Sequence, residues 1–320
     1  MFHQITKPVL IGRTSGLEAD QKVIAHHRCY AMTATTALTA QNTQGVKDIH
    51  LIPPCFVKSQ IDAVFDDIGV DVVKIGMLSS AETVAVVASS LQHHGSPPIV
   101  LDPVMVATSG ARLLPEEATT SLCEKLLPTS TVLTPNLPEA KLLVQHAGEK
   151  PPEIRSTKDL VALAGRIRAM GPKHVLLKGG HLPLTRDGQI SRKDADHHVV
   201  VNVLHSGEGT ILLETDYIAS KNTHGTGCSL ACEFTWPHFH LIPLLLVSPM
   251  LTFLSLQAAI ASQMALNPNG RMIEHVKAAC RYVEMGIRKS IDMRLGQGSG
   301  SINHFHEAID QASLRTKVIA

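Results

Sequence analysis

Short runs rich in β-branched residues alternate along this chain with longer segments of helical periodicity, which restricts the folds open to it. Between the runs, apolar residues recur at three- and four-residue spacing, as at Phe56, Ile61, Val64 and Phe65. Alternating strands and helices favour a mainly parallel sheet with helices on both faces, an α/β three-layer architecture. The runs predicted to be strands are Pro8–Ile11, Met32–Leu38, Val72–Ile75, Pro98–Leu101, Thr131–Leu133, His174–Leu177, Val199–Val203 and Ile211–Glu214.

The segments that follow these strands are where a ligand is expected. In open parallel sheets, ligands bind at the carboxyl ends of the strands. The segments with glycine, amide or charged residues at those positions are Gly76–Met77, Asp102–Pro103, Thr134–Asn136 and Lys178–His181.

Composition and charge narrow the class of protein. The chain has 320 residues, of which 44% are hydrophobic, so one domain with a large core accounts for it. A formal net charge of +1 with scattered Lys and Arg provides no binding surface for nucleic acid. The 6 cysteines form no Cys-x-x-Cys pair, which favours a reduced, cytoplasmic setting. Paired histidines such as His26-His27 are expected to point apart and not to hold a metal ion.

The segment 221–228, with the sequence KNTHGTGC, has the character of an anion site. Gly225 and Gly227 let the backbone approach a phosphoryl group closely, and Thr226 lies between them. A helical pattern follows, so its positive end would face the anion, and Cys228 at that end would have a lowered pKa. The alternative is a helix start that uses glycine and threonine only as turn and cap residues.

Acidic and basic residues after the central strands add the chemistry of phosphate binding. Asp102 directly follows a predicted strand and Glu139 lies close to the end of the next, so the two carboxylates together can hold Mg²⁺. Lys178 ends a strand and precedes two glycines, from where its ammonium group can reach a phosphate. Each residue alone also fits a cap or a strand-end side chain that reaches solvent. As a set they favour phosphoryl transfer, although the chain lacks the Gly-Lys of a P-loop and the His-Arg-Asp of protein kinases.

Several segments resemble one family. AMTATTALTAQNTQGV, KIGML, VLDPVM, SGARLL, TPNLPEA, LLKGGH, NTHGTGC, KAACRYVE and INHFH occur in the order found in the hydroxymethylpyrimidine/phosphomethylpyrimidine kinases of thiamine biosynthesis, within the ribokinase superfamily. The sequences of these motifs are most similar to those of fungal members of the family. The cysteine of GTGC is the most specific feature, because sugar kinases of the superfamily carry aspartate there.

The resemblance implies a ribokinase-like fold and an ATP-dependent kinase. Its substrates would be 4-amino-5-hydroxymethyl-2-methylpyrimidine and the monophosphate of that compound, with Mg²⁺ as cofactor. Neither a nucleic acid nor a membrane would be a partner, and the oligomeric state, a homodimer included, is left open.

The same resemblance assigns roles to individual residues. The pyrimidine would be bound by Asp20 and Gln41 through hydrogen bonds and by Met77 and Val104 through packing. Asp102 and Glu139 would organise Mg²⁺, and Asn136 and Lys178 would contact the phosphates of ATP. The transferring group would be stabilised by Gly225, Thr226 and Gly227, and Cys228 would be the base that takes the hydroxyl proton.

The chain departs from the family near its start. Family members carry a longer glycine-rich loop after the first strand, whereas here only Arg13, Thr14 and Ser15 separate Gly12 from Gly16. Arg28 stands where the family commonly has glycine. We expect the short loop to weaken capture of the pyrimidine.

An apolar insert at 232–257 is the second departure. It holds Trp236 and three prolines, and proline inside a helix breaks it, so the helix after Cys228 should end soon after Cys232. Residues 241–256 are too short and too rich in proline for a membrane span. Our hypothesis is a translated intron, because Cys232-Glu233-Phe234 can be encoded with a donor-like GTGAGT and 253–257 with a pyrimidine-rich tract that ends in CAG.

Two alternatives to a pyrimidine kinase remain. A pyridoxal kinase would share the fold and accept a similar hydroxymethyl heteroaromatic ring. A protein that binds a pyrimidine or a partner without catalysis would also fit the shortened loop and the interrupted helix.

The intron hypothesis predicts a spliced message that lacks the codons of the insert. Sequencing of transcripts across this region is the measurement. Messages that uniformly retain the segment would contradict the hypothesis and make the apolar insert a genuine part of the protein.

Overall fold

The computed structural model describes residues 8–42, 45–105, 114–179, 184–185, 189–190, 199–217, 253–288 and 314–319. Ten described strands form one sheet in the order β10-β9-β8-β7-β6-β5-β4-β1-β2-β3. They are β1 (Pro8–Arg13), β2 (Met32–Asn42), β3 (Gly45–Leu51), β4 (Val72–Ile75), β5 (Ile99–Leu101), β6 (Val132–Leu133), β7 (His174–Leu177), β8 (Val199–Ser206), β9 (Gly209–Asp216) and β10 (Arg315–Ile319).

The centre of the sheet is parallel and its two margins are antiparallel. Every neighbouring pair from β7 through β6, β5, β4 and β1 to β2 is parallel. The pairs β2–β3, β7–β8, β8–β9 and β9–β10 are antiparallel. The predicted α/β class with a mainly parallel central sheet is therefore confirmed.

Helices cover both faces of the sheet, as the strand pattern predicts. One face packs against α2 (Pro54–Asp67), α3 (Ala81–His93), α4 (Glu116–Lys125), α5 (Leu137–His146) and α6 (Thr157–Ala169). The other packs against α1 (Thr14–His26), α7 (Phe253–Leu266) and α8 (Met272–Arg288). Successive residues of the central strands enter opposite cores, with Val73 on the first side and Val72 on the second, because side chains alternate along a strand.

Two strands, β3 and β10, were not predicted from the sequence. Both are edge strands whose residues include charged side chains, and the described part of each is mostly exposed to solvent. Charged edges discourage pairing with other chains, and they also remove the continuous apolar run that identifies a buried strand.

The buried face of α2 differs from the predicted one. Phe56 is 59% exposed, whereas Val57 and Ile61 are fully buried. The helix is placed correctly, but its inward stripe starts one residue later than the apolar spacing suggested. Phe56 and Val57 are adjacent and both apolar, and packing of α2 against the sheet buries Val57 and leaves Phe56 exposed.

The paired histidines do not point apart. The rings of His26 and His27 both lie against Tyr282, with centroid distances of 4.8 and 4.9 Å. The expectation for this pair was wrong, because His27 is at the very end of α1, where the chain leaves helical geometry. No group of three or more potential metal-binding side chains occurs among the described residues.

The first loop is as short in the structure as the sequence implies. β1 ends at Arg13 and α1 begins at Thr14, so strand and helix are directly joined. At the other departure from the family, α7 begins at Phe253, and residues 253–257 of the predicted insert therefore belong to this helix. The rest of the insert, 232–252, lies outside the described residues, and the intron hypothesis stays a prediction. None of the described helices combines the length and apolar character needed to cross a membrane.

Arg28 ends α1 in the left-handed conformation that glycine normally provides. Its φ is 59°, its N–H donates to the Ala25 carbonyl at 2.9 Å, and the Cys29 N–H donates to the Ile24 carbonyl at 3.1 Å. This pair of bonds is a Schellman helix end, whose left-handed position usually carries glycine. Arginine here bears the steric cost of a Cβ close to the backbone.

Replacement of Arg28 by glycine should therefore stabilise the protein. Relief of the left-handed strain, offset by the greater freedom of glycine in the unfolded chain, should leave a gain of about 0.5–1 kcal/mol. Urea titration of Arg28→Gly and Arg28→Ala against the parent chain is the measurement. An equal gain for the alanine variant would show that loss of the arginine side chain, and not backbone strain, is the cause.

Candidate functional site

The segments after the central strands are held in register beyond the strand ends. Backbone N–H groups continue the ladder by one residue: Gly76 donates to Ile11 at 2.8 Å, Asp102 to Ile75 at 2.8 Å and Thr134 to Leu101 at 2.9 Å. Lys178 donates to Pro135 at 2.8 Å and pairs with Asn136 in an isolated bridge. The predicted site residues of these segments therefore meet at one rigid edge of the sheet, which we call the carboxyl edge.

Asp102 and Lys178 form a buried ion pair at the carboxyl edge. Lys178 Nζ lies 2.8 Å from Asp102 Oδ1, and the two side chains are only 1% and 4% exposed. The sequence predicted both residues for the site but not their pairing, since they are 76 positions apart. Burial of the pair keeps both charges fixed where β5 and β7 end.

Asn136 and Glu139 form a capping box at the start of α5. The Glu139 N–H donates to Asn136 Oδ1 at 2.9 Å, and the Asn136 N–H donates to Glu139 Oε2 at 2.8 Å. The reciprocal bonds satisfy two N–H groups that a helix start leaves open. They also fix the Glu139 carboxyl group next to the end of β6.

Burial raises the pKa of Glu139 to about 8, although Lys178 opposes the rise and Asp102 adds to it. Glu139 is only 3% exposed, so its ionised form loses most of its hydration. Two carboxyl groups thus share the field of one lysine, and a further positive charge would stabilise both in the ionised form. Two carboxylates and the oxygens of a phosphate suit Mg²⁺, so the donor set fits this ion.

Thr134 extends the polar cluster toward α7. Its Oγ1 lies 3.4 Å from Asp102 Oδ1 and accepts a hydrogen bond from Gln257 Nε2 at 3.1 Å. Gln257 is fully buried. The sequence analysis missed this contact because Gln257 is the last residue of the predicted insert, so it exists only in a chain that carries the insert.

Asp20, which the resemblance assigns to the pyrimidine, is paired with a lysine that was not predicted as a site residue. Lys74 Nζ lies 2.6 Å from Asp20 Oδ2, and both side chains are at most 2% exposed. The signal was a lysine inside the apolar strand Val72–Ile75, where a charged group needs a buried partner.

The other three predicted pyrimidine residues are spread over the same end of the sheet. Met77 follows Gly76 after β4 and is buried, and its carbonyl accepts a hydrogen bond from Thr36 Oγ1 of β2 at 3.1 Å. Val104 follows β5 and is half-buried. Gln41 lies on the part of β2 that continues past β1 and pairs with β3, and its Oε1 is buried with no hydrogen-bond partner among the described residues.

Gly179 is required for a different reason from the one that the sequence suggested. A Cβ at this position would lie 1.8 Å from the Val201 carbonyl oxygen, so packing of β7 against β8 excludes any side chain. The Gly179 N–H donates to Asn202 Oδ1 at 3.0 Å. The glycine thus serves the sheet itself.

The anion turn predicted at Gly225, Thr226, Gly227 and Cys228 lies outside the described residues. A cavity of about 950 Å³ lies at the opposite, amino ends of the central strands, lined by residues that include Val72, Pro98, Thr131 and His174. No predicted site residue lines it, so the candidate site rests on the polar cluster of the carboxyl edge.

Comparison with known proteins identifies relatives. Residues 12–236 match the family model described as phosphomethylpyrimidine kinase. The chain is 34% identical over 91% of its length to the hydroxymethylpyrimidine/phosphomethylpyrimidine kinase of Salmonella typhimurium, of which it covers 92%. It is 41% identical over 70% of its length to a putative hydroxymethylpyrimidine/phosphomethylpyrimidine kinase 2 of Schizosaccharomyces pombe, covering 41% of that protein. A thiamine biosynthesis bifunctional protein of Geobacter sulfurreducens is 38% identical over 93% of the chain, which spans 51% of it.

Solved structures agree with the fold. The crystal structure of phosphomethylpyrimidine kinase from Clostridium difficile 630 has a TM-score of 0.63 at 30% identity, covering 87% of this chain and 97% of that one. A pyridoxal kinase of Staphylococcus aureus has a TM-score of 0.74 at 23% identity, covering 99% of this chain and 100% of that one, which shows a shared fold.

The chain spans about half or less of the first relatives it matches, and nearly all of the Salmonella kinase. The predicted resemblance is confirmed by the family match, which includes the whole carboxyl edge from Gly76 to Gly179. The chain belongs to the phosphomethylpyrimidine kinase family, whose members among its relatives are kinases of thiamine biosynthesis.

Proposed function

We propose that this chain transfers phosphate from ATP to the hydroxymethyl group of 4-amino-5-hydroxymethyl-2-methylpyrimidine and then to the resulting monophosphate. The observation that carries the proposal is the buried pair of Asp102 and Lys178 beside Glu139, at the edge where ligands of parallel sheets bind. The relatives of the chain support this choice of substrate, since the names of those from Salmonella typhimurium and Schizosaccharomyces pombe contain hydroxymethylpyrimidine and phosphomethylpyrimidine kinase.

Lys178 and Asn136 bind the phosphates of ATP in this proposal. Asp102 holds the Lys178 ammonium at the carboxyl edge, and the Lys178 backbone N–H is fixed by its bond to the Pro135 carbonyl. Asn136 lies beside it in the isolated bridge. Groups that are fixed before the substrate arrives stabilise developing charge without a further cost of reorganisation.

Asp102 and Glu139 hold Mg²⁺ when ATP is bound. The ion supplies neutralisation of charge on the transferring phosphoryl group and on the leaving diphosphate. Glu139 is positioned for this by its capping box, which leaves the carboxyl group facing the field of Asp102 and Lys178.

Cys228 takes the proton of the substrate hydroxyl, and Gly225, Thr226 and Gly227 receive the transferring group. These assignments rest on the sequence motif. A thiol with an ordinary pKa of about 8.5 becomes an effective base at neutral pH when a helix start lowers that pKa. The cytoplasmic location expected from the cysteine pattern belongs to the same proposal, and among the described residues Cys55, Cys123 and Cys280 form no disulfide bond.

Replacement of Cys228 by alanine should lower kcat for the pyrimidine by about a hundredfold or more, because the variant loses its general base. The measurement is steady-state phosphorylation of the pyrimidine with ATP and Mg²⁺. Cys55→Ala, which removes an exposed thiol, is the matched control and should retain the parental rate.

Equal rates for Cys228→Ala and the parent chain would remove the thiol from the mechanism. A parent chain that binds the pyrimidine but turns none over would favour the non-catalytic alternative. Higher kcat/KM with pyridoxal in a competition assay would favour the pyridoxal kinase alternative.

The raised pKa of Glu139 predicts a characteristic pH dependence of stability. The folded state binds the proton of Glu139 more tightly than the unfolded state does, so this contribution is full below pH 4.5 and is lost as the pH rises through about 8. Glu139→Gln keeps a capping-box side chain without an ionisable group. Relative to the parent, this variant should gain about 1.4 kcal/mol of stability for each pH unit between pH 6 and about pH 8, and little more above that.

Urea titrations across this pH range, without Mg²⁺, provide the measurement. Glu117→Gln, at an exposed glutamate of α4, is the control and should follow the parent at every pH. Parallel curves for Glu139→Gln and the parent would show that Glu139 is already ionised in the folded protein at neutral pH.

A further inference from the structure

Among the described residues, a second buried ion pair lies near the carboxyl edge. It is formed by Lys74 and Asp20. Lys74 comes from β4 and Asp20 from α1, 54 positions earlier in the chain, and Lys74 Nζ lies 2.6 Å from Asp20 Oδ2. Lys74 is 1% exposed and Asp20 is fully buried. Two charges are costly to bury, and a pair of apolar residues would often be at least as stable, so the pair calls for an explanation beyond stability.

The pair lies next to Gly76 and Met77, the segment that the family resemblance assigns to the pyrimidine. A Cβ on Gly76 would lie 3.1 Å from Lys74 Nζ, so the ammonium group touches the backbone at the end of β4. Met77 is the next residue. The Gly76 backbone also lies against Gly12, the last residue but one of β1. Lys74 therefore belongs to β4, and its ammonium group reaches the end of that strand, next to the residues proposed to bind the substrate.

Only one oxygen of Asp20 is used by the lysine. Oδ1 is buried and has no hydrogen-bond partner among the described residues. A buried carboxylate oxygen without a donor is uncommon, because the lost hydration is not replaced. An oxygen of this kind is suited to an N–H donor, and the 4-amino group of the proposed substrate is such a donor.

Lys74 also decides the form of the carboxyl group. Burial raises the pKa of Asp20 to about 6, Lys74 opposes the rise and Asp102 adds to it. If the ammonium group were absent, burial and Asp102 would act unopposed and the carboxyl group would take up a proton. A protonated carboxyl group has one oxygen fewer with which to accept a strong hydrogen bond.

We propose that Lys74 is a positioning residue for the pyrimidine: it anchors Oδ2 of Asp20 and leaves Oδ1 to accept a hydrogen bond from the amino group of the ring. The assignment rests on the proposed function for its substrate and extends it to a residue that does not touch the ring. Because Lys74 acts on the ring through Asp20, its effect should depend on the presence of that amino group.

The experiment compares two substrates in the full chain. One is 4-amino-5-hydroxymethyl-2-methylpyrimidine, and the other is 5-hydroxymethyl-2-methylpyrimidine, which lacks the amino group. The parent chain should show a KM at least about tenfold lower for the amino compound, the effect of a charge-assisted hydrogen bond in a buried site. Lys74→Met should raise the KM of the amino compound by about tenfold, leave the KM of the other unchanged and change kcat by less than about threefold.

Two further variants separate positioning from a purely structural role. Asp20→Leu combined with Lys74→Met replaces the pair with apolar side chains, which keeps the experiment valid if the single variant does not fold, and it should bind both substrates with the same KM. Lys58→Met removes an exposed lysine that pairs with Asp62 on α2, and it should keep the parental preference.

Each outcome bears on one of the two proposals. Equal KM values for the two compounds in the parent chain, or the same loss for both compounds in Lys74→Met, would overturn the role of Lys74 while the kinase activity stands. Absence of turnover of the amino compound by the parent chain would overturn the proposed function itself. A preference that the apolar double variant retains would assign recognition of the amino group to other residues.

Discussion

The extension of the parallel ladder beyond the strand ends is the constraint on which the site depends. Gly76, Asp102, Thr134 and Lys178 each donate a backbone hydrogen bond to the neighbouring strand or the segment that follows it. Loops after strands are usually the mobile parts of an α/β protein, yet here their first residues are hydrogen-bonded into the sheet. Side chains that start from such a backbone keep their mutual distances, so the charges of the carboxyl edge are set by the fold and not by the ligand.

Among the described residues, the charges buried at this edge do not balance. Lys74 and Lys178 are the buried cations, whereas Asp20, Asp102 and Glu139 are buried carboxyl groups. Each lysine is bonded to one aspartate, and Glu139 is left with backbone donors. Burial is the main cause of the raised pKa of Glu139, the charge of Asp102 adds to it, and uptake of a proton relieves both effects. A divalent cation would replace that proton, which connects the electrostatics of the carboxyl edge to the proposed use of Mg²⁺.

The sequence was a reliable guide where one physical rule decides the outcome. Apolar runs located the central strands, and the rule for parallel sheets then placed Asp102, Asn136 and Lys178 at one edge. Pairings between distant residues could not be predicted, because the partner of Lys74 is known only once α1 is packed against β4. The exposure of Phe56 shows the same limit of prediction. The periodicity of a helix gives the width of its apolar stripe, but packing decides which residues of the stripe face the sheet.

The direct junction between β1 and α1 affects closure over the pyrimidine ring but not the placement of Asp20. α1 begins at Thr14, so Asp20 reaches Lys74 through helix geometry and the packing of α1 against the sheet, without help from a loop. The shortened first loop therefore does not alter the buried pair. Its effect falls on the closure over the pyrimidine ring that the resemblance assigns to the longer loop, and a chain with this junction would recognise the ring mainly through the rigid residues below it.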